Sequence, residues 1–309
     1  MNAVQRLSRI TMICSDPGGL AAFYEGALGF ERTGAMSITE PAFAALIGIP
    51  GATASVITLR LGGQEIELAG VNPPGQNYPR AVSGRSPLFQ HFAIVVSDMA
   101  VAYARLLAQC GCTAISTDGP QLLPATSGGV TAYKFRDPDG HPLELIAFPP
   151  DAVPVRWQRS SATGYLGIDH SAISIADTER SISFYERLGL RRVGGSLNSG
   201  PEQDKLDHVV GALVEVTALA PPRYSTPHVE LLCYRGVVDR KSAFAGTNDI
   251  AATWLVLTVG NDQILEVLRT ECREAVLSGP VQFNHGVWRA MLRDPDGHLL
   301  CLEGPREAV

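Results

Sequence analysis

Apolar and polar residues alternate in two long stretches of the chain that resemble each other. Residues 7–30 and 168–190 each begin with an alternating apolar run that ends at an aspartate, Asp16 or Asp177. Phe-Tyr-Glu follows seven residues later, and then Leu-Gly. The alternation predicts a β-strand, the aspartate predicts the N-cap of an amphipathic helix, and Leu-Gly predicts its end.

A second repeat lies between and after these stretches. Residues 136–146 read RDPDGHPLELI, and residues 293–303 read RDPDGHLLCLE. Asp-Pro-Asp-Gly favours a tight turn because proline presets φ and glycine accepts a positive φ, so each segment predicts a β-hairpin. Residues 90–111 and 252–271 precede these hairpins, and their patterns again predict a strand followed by a helix.

The two repeats together indicate four similar units, here called modules 1 to 4. They begin near residues 7, 88, 167 and 251. The Pro-rich segments 71–80 and 149–161 are predicted linkers, and the second separates the two long repeats. We therefore expect two domains, residues 1–150 with modules 1 and 2 and residues 162–309 with modules 3 and 4.

Composition narrows the class of protein. Apolar residues make up 45% of the 309 residues and charged residues 18%, which is typical of a globular protein. The net charge is −6 without a basic run, so we expect no nucleic-acid partner. No apolar stretch approaches the roughly 18 residues of a membrane helix, and we read no signal peptide in residues 1–13. Six scattered cysteines do not form a disulfide pattern, so a cytoplasmic location is expected.

The strand–Asp–Phe-Tyr–Leu-Gly openings and the Asp-Pro-Asp-Gly-His closings resemble the vicinal oxygen chelate superfamily over nearly the whole chain. This family includes glyoxalase I, extradiol dioxygenases, methylmalonyl-CoA epimerase and antibiotic-resistance proteins such as those against bleomycin. The resemblance implies an α+β fold in which four βαβββ modules form two cup-like half-barrels. It also implies metal ligands at two places in each module: on the first strand, seven residues before the helix-capping aspartate, and at a glutamate on the last strand.

These two positions differ among the modules. Module 2 has His91 and Glu144 there, and module 3 has His170 and Glu230. Module 1 has Arg9 and Glu67 at these positions, and module 4 has Thr253 or Ala252 with Cys301. An arginine cannot bind a cation and a threonine or alanine is a poor or impossible ligand, so modules 1 and 4 are expected to be defective.

Two ways of pairing the modules remain open. Pairing 1 with 2 and 3 with 4 would make two partial sites. Pairing 2 with 3 and 1 with 4 would bring His91, Glu144, His170 and Glu230 together and leave the second cup degenerate. We favour this crossed pairing because it makes one complete site. Two imidazoles and two carboxylates suit one divalent metal ion, which could be Fe, Ni, Co, Mn or Zn.

Several other residues are weaker candidates. His228 is two residues from Glu230 and shares its strand face, so it could contact the ligands or the substrate. Tyr133 and His208 are further candidates for such a role. The imidazoles of the two turns, His141 and His298, are expected to face solvent. His285 is a weak candidate for a site residue. The polar segment 196–211 is either a substrate loop or a plain surface connection.

The resemblance implies a metal-dependent lyase or isomerase acting on a small substrate with vicinal oxygens. Glu144 or Glu230 would move a proton while the metal stabilises an enediolate. One alternative is an extradiol-type Fe(II) dioxygenase, which usually has two histidines and one carboxylate. Another is a non-catalytic small-molecule binding or resistance protein. We expect a monomer or a homodimer.

Overall fold

Four repeated modules form two β-sheets in the computed structural model, which describes residues 4–80, 82–236, 245–260, 273–284 and 286–305. The helix predicted after the first strand of module 4 falls largely in 261–271, outside the described residues, as do Cys272 and His285. The cysteines that are described form no disulfide. None of the described helices has the length and apolar character needed to cross a membrane.

The first two modules comprise the following elements. Module 1 contains β1 (Val4–Ile13), α1 (Pro17–Leu28), β2 (Glu31–Ile38), α2 (Pro41–Ile47), β3 (Thr53–Leu61) and β4 (Gln64–Asn72). Module 2 contains β5 (Gln90–Val96), α3 (Met99–Leu107), β6 (Thr113–Ala114), β7 (Gln121–Leu122), β8 (Thr131–Arg136) and β9 (Pro142–Ala147).

The last two modules repeat this order. Module 3 contains β10 (Tyr165–Ile175), α4 (Thr178–Arg187), β11 (Arg191–Ser199), α5 (Pro201–Asp207), β12 (Leu213–Ala220) and β13 (His228–Tyr234). The described part of module 4 contains β14 (Thr253–Val259), β15 (Val276–Gln282), β16 (Val287–Arg293) and β17 (Leu299–Pro305).

The predicted helix caps are present. The carboxylates of Asp16, Asp98 and Asp177 accept hydrogen bonds of 2.9–3.0 Å from backbone N–H groups in the first turns of α1, α3 and α4. Gly29 ends α1 with a φ of 71°, a left-handed conformation that glycine adopts without a Cβ clash. These caps fix where each first strand ends, and therefore which residue lies seven positions earlier.

The sheets combine the modules in the crossed arrangement. The nine-stranded sheet has the order β11-β12-β13-β10-β5-β9-β8-β6, with β7 beside β8, so it joins module 3 to module 2. The eight-stranded sheet has the order β15-β16-β17-β14-β1-β4-β3-β2 and joins module 4 to module 1. The α+β fold with two half-barrels is thus confirmed. The division into two domains, residues 1–150 and 162–309, stays a prediction. Each sheet takes strands from both sides of residues 151–161.

One core connects the two sheets. It includes fully buried side chains from every module, for example Tyr24, Phe92, Tyr185 and Leu257. Tyr24 and Tyr185 come from the two Phe-Tyr-Glu motifs, and their hydroxyl groups donate to Asp137 and Asp294 in the two Asp-Pro-Asp-Gly turns. The two kinds of repeat therefore pack against each other: the helix of module 1 contacts the turn of module 2, and the helix of module 3 contacts the turn of module 4.

The expectation that His141 and His298 face solvent is wrong. Their exposed fractions are 1% and 5%. His141 Nδ1 lies 2.9 Å from the Asp137 carboxylate, and its Nε2 lies 2.9 and 3.0 Å from the carbonyl oxygens of Ile13 and Ile250. A tight turn exposes its backbone to solvent in isolation, but here the imidazole turns inward to satisfy carbonyl groups of modules 1 and 4.

Candidate metal centre

Strand register brings the candidate histidines to one face of the nine-stranded sheet. Strands β5 and β10 are antiparallel neighbours, with His91 opposite Ala172 and His170 opposite Ala93. Because the two histidines are offset by two residues, their side chains leave the sheet on the same face. Their rings lie with centroids 6.0 Å apart.

The flanking strands add the carboxylates. In the parallel pair β5 and β9, Glu144 lies opposite Ala93, and in the parallel pair β10 and β13, Glu230 lies opposite Ala172. Each glutamate is therefore one strand away from a histidine of its own module. We call the cavity around His91, Glu144, His170 and Glu230 the histidine cup.

Three short contacts connect the donor atoms of these four side chains. Glu144 Oε2 lies 3.2 Å from His91 Nε2 and 3.5 Å from His170 Nε2, and Glu230 Oε2 lies 3.5 Å from His170 Nε2. With metal–ligand bonds of roughly 2.0–2.2 Å, neighbouring ligands of one ion are about 3 Å apart. The spacing and the chemistry of the donors therefore fit a divalent cation.

Carboxylates also orient the imidazole of His170. Asp169 Oδ2 lies 3.2 Å from His170 Nδ1, and the other Asp169 oxygen accepts from Trp157 Nε1 at 3.0 Å. Such a contact leaves Nε2 of the histidine available to a metal. His228 lies in the same group, with Nε2 at 3.3 Å from Glu230 Oε1, so this candidate is at the site. Its Nδ1 is 3.9 Å from Asp169.

The two histidines have different electrostatic surroundings. Burial together with the Lys134 ammonium lowers the pKa of His91. Burial would also lower the pKa of His170, but the negative charges of Glu230, Asp169 and Glu144 outweigh it and raise that pKa well above its usual value. A dication bound here would take the place of that proton as the positive partner of the carboxylates.

A buried lysine is the main feature that sequence reasoning missed. Lys134 lies directly opposite Glu144 in the antiparallel pair β8 and β9, so its side chain shares the face of the cup. It is 4% exposed, and its Nζ lies 2.7 Å from Asp207 Oδ1. Asp207 Oδ2 accepts from Gln203 at 2.6 Å and from the Tyr234 hydroxyl at 2.9 Å. A lysine in an otherwise apolar strand was a usable signal, whereas nothing in the sequence pointed to Asp207.

The cavity of the histidine cup has a volume of about 190 Å³. Segment 196–211 forms the end of β11 and helix α5, and it contributes Ser196, Asn198, Gln203 and Asp207 to the cavity wall. The segment therefore covers the site. The ammonium of Lys134 holds the pKa of Glu144 well below its usual value against the effect of burial, which alone would raise it.

Two candidates lie away from the cup. Tyr133 pairs with Leu145, on the opposite face of β8 from Lys134, and its ring packs against Tyr103 with centroids 4.7 Å apart. His208 is exposed and ends α5 with a φ of 52°. Neither side chain lines the cavity.

The eight-stranded sheet carries a matching cup with different residues. Here Thr11 lies opposite Trp254, just as Ala172 lies opposite His91, so Trp254 and not Thr253 or Ala252 holds the first-strand position of module 4. The sequence count slipped because the residue seven positions after Trp254 is Asn261 and not an aspartate. We call the cavity around Arg9, Glu67, Trp254 and Cys301 the arginine cup.

An ion-pair cluster lies at the arginine cup. Arg9 Nε lies 2.8 Å from Glu67 Oε1, and the two terminal nitrogens of Arg9 bind Glu303 at 2.9 and 2.7 Å. Arg289 reaches Glu303 at 2.8 Å. Glu303 was missed, although it is two residues beyond Cys301 and so on the same strand face. Burial raises the pKa of the Cys301 thiol to about 11, which keeps it protonated.

Comparison with known proteins agrees with this architecture. Residues 6–145 match the family model of the Glyoxalase/Bleomycin resistance protein/Dioxygenase superfamily. The matched part of the chain, modules 1 and 2, therefore belongs to this superfamily, as its motifs indicate. A search of curated proteins found no significant match.

Solved structures with the same fold cover nearly the whole chain. Glyoxalase I from Zea mays is 18% identical, with a TM-score of 0.62 over 97% of this chain and 92% of that one. A putative dioxygenase from Bacillus subtilis is 14% identical, with a TM-score of 0.58 over 98% of this chain and 86% of that one. At these identities the likeness concerns the fold alone.

Proposed function

We propose that the histidine cup is the active site of a divalent-metal-dependent lyase or isomerase that acts on a small substrate with vicinal oxygens. The observation that carries this proposal is the cluster of His91, Glu144 and His170, whose donor atoms lie within 4.8 Å of one another, with Glu230 Oε2 3.5 Å from His170 Nε2. These four residues would hold the metal. When bound, the metal would act as a Lewis acid toward the two substrate oxygens.

The protein's own groups would move the proton. Glu144 and Glu230 are carboxylates on the two sides of the site, and either can accept a proton from the carbon next to a carbonyl and return it to a neighbouring atom. The side chain of Glu230 is 21% exposed and that of Glu144 is 8% exposed. Glu230 therefore has more freedom to leave the metal and reach the substrate.

The wall of the cup would orient the substrate and limit access of water. Lys134 and its partner Asp207 link module 2 to module 3 beside the ligands. Ser196 and Asn198 on β11 offer hydrogen-bonding groups on another wall. A cavity of about 190 Å³ suits a small molecule, because one water molecule occupies about 30 Å³.

A second candidate function has its own support. The donor atoms of His91, Glu144 and His170 alone lie within 4.8 Å of one another, and two histidines with one carboxylate are the usual ligands of non-haem Fe(II) oxygenases. If Glu230 stays off the metal, the same cup could hold Fe(II) for extradiol ring cleavage. Whether Glu230 binds the metal then distinguishes the lyase or isomerase from the dioxygenase.

One experiment separates the candidate functions. The purified protein is reconstituted anaerobically with each of Fe, Ni, Co, Mn and Zn, and its metal content is measured. Hydroxyacetone and other α-hydroxyketones are then incubated with it in D2O, and deuterium incorporation next to the carbonyl is followed by NMR. Oxygen uptake with catechols is measured in parallel.

A lyase or isomerase should exchange deuterium without consuming oxygen. Glu230→Gln and Glu144→Gln should slow the exchange by about 100-fold or more, as expected for loss of a general base. Oxygen uptake with catechol would favour the dioxygenase. Metal binding without any turnover would favour a non-catalytic small-molecule binding protein. Failure to bind any metal would refute the proposal.

A further inference from the structure

The arginine cup contains a cavity of its own. We propose that it is a metal-independent binding site for a small neutral molecule with a mainly apolar body and one hydrogen-bond acceptor. This site lies in the other sheet from the proposed active site, between modules 1 and 4, so the inference does not depend on which reaction the histidine cup performs.

The shape and lining of this cavity suit a small apolar body. Its volume is about 90 Å³, the space of roughly three water molecules. Apolar side chains form most of its wall: Met36, Ile38, Phe43, Val56, Val256 and Phe283. Helix α2 supplies Phe43 and Leu46 to the same wall. A body of about four or five non-hydrogen atoms would fill such a space.

Trp254 supplies the hydrogen-bond donor. Trp254 is a lining residue of the cavity and is 5% exposed, and its buried Nε1–H has no acceptor among the described residues. A buried indole N–H normally finds a partner, since leaving it unpaired costs free energy. Trp157 illustrates the usual case, because its Nε1 donates to Asp169 at 3.0 Å. A ligand acceptor would satisfy Trp254.

The charges of the cup argue for a neutral ligand. Arg9 bridges Glu67 and Glu303, and Arg289 binds Glu303, so two guanidinium groups face two carboxylates. Hydrogen bonds from Arg9 outweigh the effect of burial and lower the pKa of Glu303 to about 2, so the pairs stay ionised. An anionic ligand would add an unmatched charge, and Glu40 at the rim, which accepts from the Asn284 N–H at 3.0 Å, would repel it.

The tryptophans allow a direct test on the full-length protein. The chain has three, Trp157, Trp254 and Trp288, so a ¹H–¹⁵N spectrum contains three indole signals. The probes are 2-butanone, 2-methyl-1-butene and propionate, which have the same number of non-hydrogen atoms. They represent a neutral acceptor, the same shape without an acceptor, and an anion. Trp157 reports on the histidine cup because its indole binds Asp169.

We expect 2-butanone to shift the Trp254 signal saturably and to leave the Trp157 signal in place, with or without metal. Trp254→Phe keeps an aromatic wall but removes the donor, so ligand-observed NMR should show binding about two- to tenfold weaker, the contribution of one hydrogen bond. Ala69→Leu places a larger side chain in the cavity wall and should abolish binding. Retained dispersion of the Trp157 and Trp288 signals would show that the variants are folded.

Other outcomes overturn the proposal. Absence of a Trp254 shift up to the solubility limit of 2-butanone refutes the site, and a shift of Trp157 alone places the ligand in the histidine cup. Equal binding of 2-methyl-1-butene and 2-butanone, with no effect of Trp254→Phe, refutes the role of the donor. Propionate binding as tightly as 2-butanone refutes the neutral ligand class.

Discussion

The two cups share one backbone plan and differ in which charge balances their carboxylates. In the histidine cup, Glu144 and Glu230 face two imidazoles, which can bind a dication. In the arginine cup, Glu67 and Glu303 face the fixed cations of Arg9 and Arg289. A buried carboxylate needs a positive partner in either case, because an unpaired charge in a protein interior is costly. At the strand position of His170 the arginine cup has Arg9, so a fixed cation there does what a metal ion would do in the histidine cup.

Removing one imidazole should have the largest effect on this comparison. We expect His91→Ala and His170→Ala each to weaken metal binding by more than about 100-fold, since even loss of a group that only hydrogen-bonds to a metal ligand costs 10- to 100-fold. Metal content after gel filtration measures this, with circular dichroism as a control for folding. Arg9→Ala should leave about one metal per chain. Two metals per wild-type chain would contradict the assignment of the arginine cup.

Breaking the ion-pair cluster should lower the stability of the fold and leave the metal content unchanged. We expect Arg9→Met to lower the free energy of unfolding by about 2–4 kcal/mol, because Glu67 and Glu303 then lack their shared partner. Urea unfolding at neutral pH measures the loss. Because the folded pKa of Glu303 is lowered to about 2 from 4.5, this stabilisation is present above pH 4.5 and disappears as pH falls toward 2. An unchanged urea midpoint would show that the cluster contributes nothing.

The carboxylate behind His170 should have an intermediate effect. Asp169→Asn retains a hydrogen-bond acceptor for His170 Nδ1 but removes the charge, so we expect metal affinity to fall about 10- to 100-fold. Competition with a chelator measures the affinity. The matched control is Thr11→Val in the arginine cup, where Thr11 donates to Glu67 at 2.6 Å. Equal effects of the two variants on metal affinity would mean that the two cups are not functionally distinct.

A smaller effect is expected at the junction between the two sheets. Burial would lower the pKa of His141, but Asp137 outweighs it and raises that pKa above 6.5. A raised folded pKa means that the stabilisation is fully present below pH 6.5 and is lost as pH rises through the folded value. We expect His141→Gln to cost about 1–2 kcal/mol at pH 6 and less at higher pH, as measured by urea unfolding. A cost that grows with pH would contradict this sign.

Much of the fold could be predicted because its signals are local. The caps Asp16, Asp98 and Asp177 and the two Asp-Pro-Asp-Gly turns bond to backbone groups within a few residues, so short motifs determine them. His91 and His170 were predicted because each lies seven residues before a capping aspartate, and Glu144 and Glu230 because each lies in an otherwise apolar last strand. The count failed in module 4, where Asn261 and not an aspartate stands seven residues after Trp254, and Trp254 was therefore missed.

Side chains whose roles depend on distant partners could not be recognised in this way. Lys134 binds Asp207, 73 positions away, and Arg9 binds Glu303, 294 positions away. His141 looked like a solvent-exposed turn residue because the carbonyl groups that it contacts belong to other modules. In each case, burial and charge pairing decide what the residue does, and burial is a property of the assembled sheets.

The sequence by itself determined the modules, the caps of modules 1 to 3, the two turns, and the strand positions that face a cup except the first-strand position of module 4. Periodicity and turn chemistry act over a few residues, so they can be read along one chain. Only the tertiary structure decided that β5 pairs with β10 and β1 with β14, and hence which modules share a cup. Strand pairing across long separations depends on the packing of the whole core, which joins all four modules and has no local sequence signal.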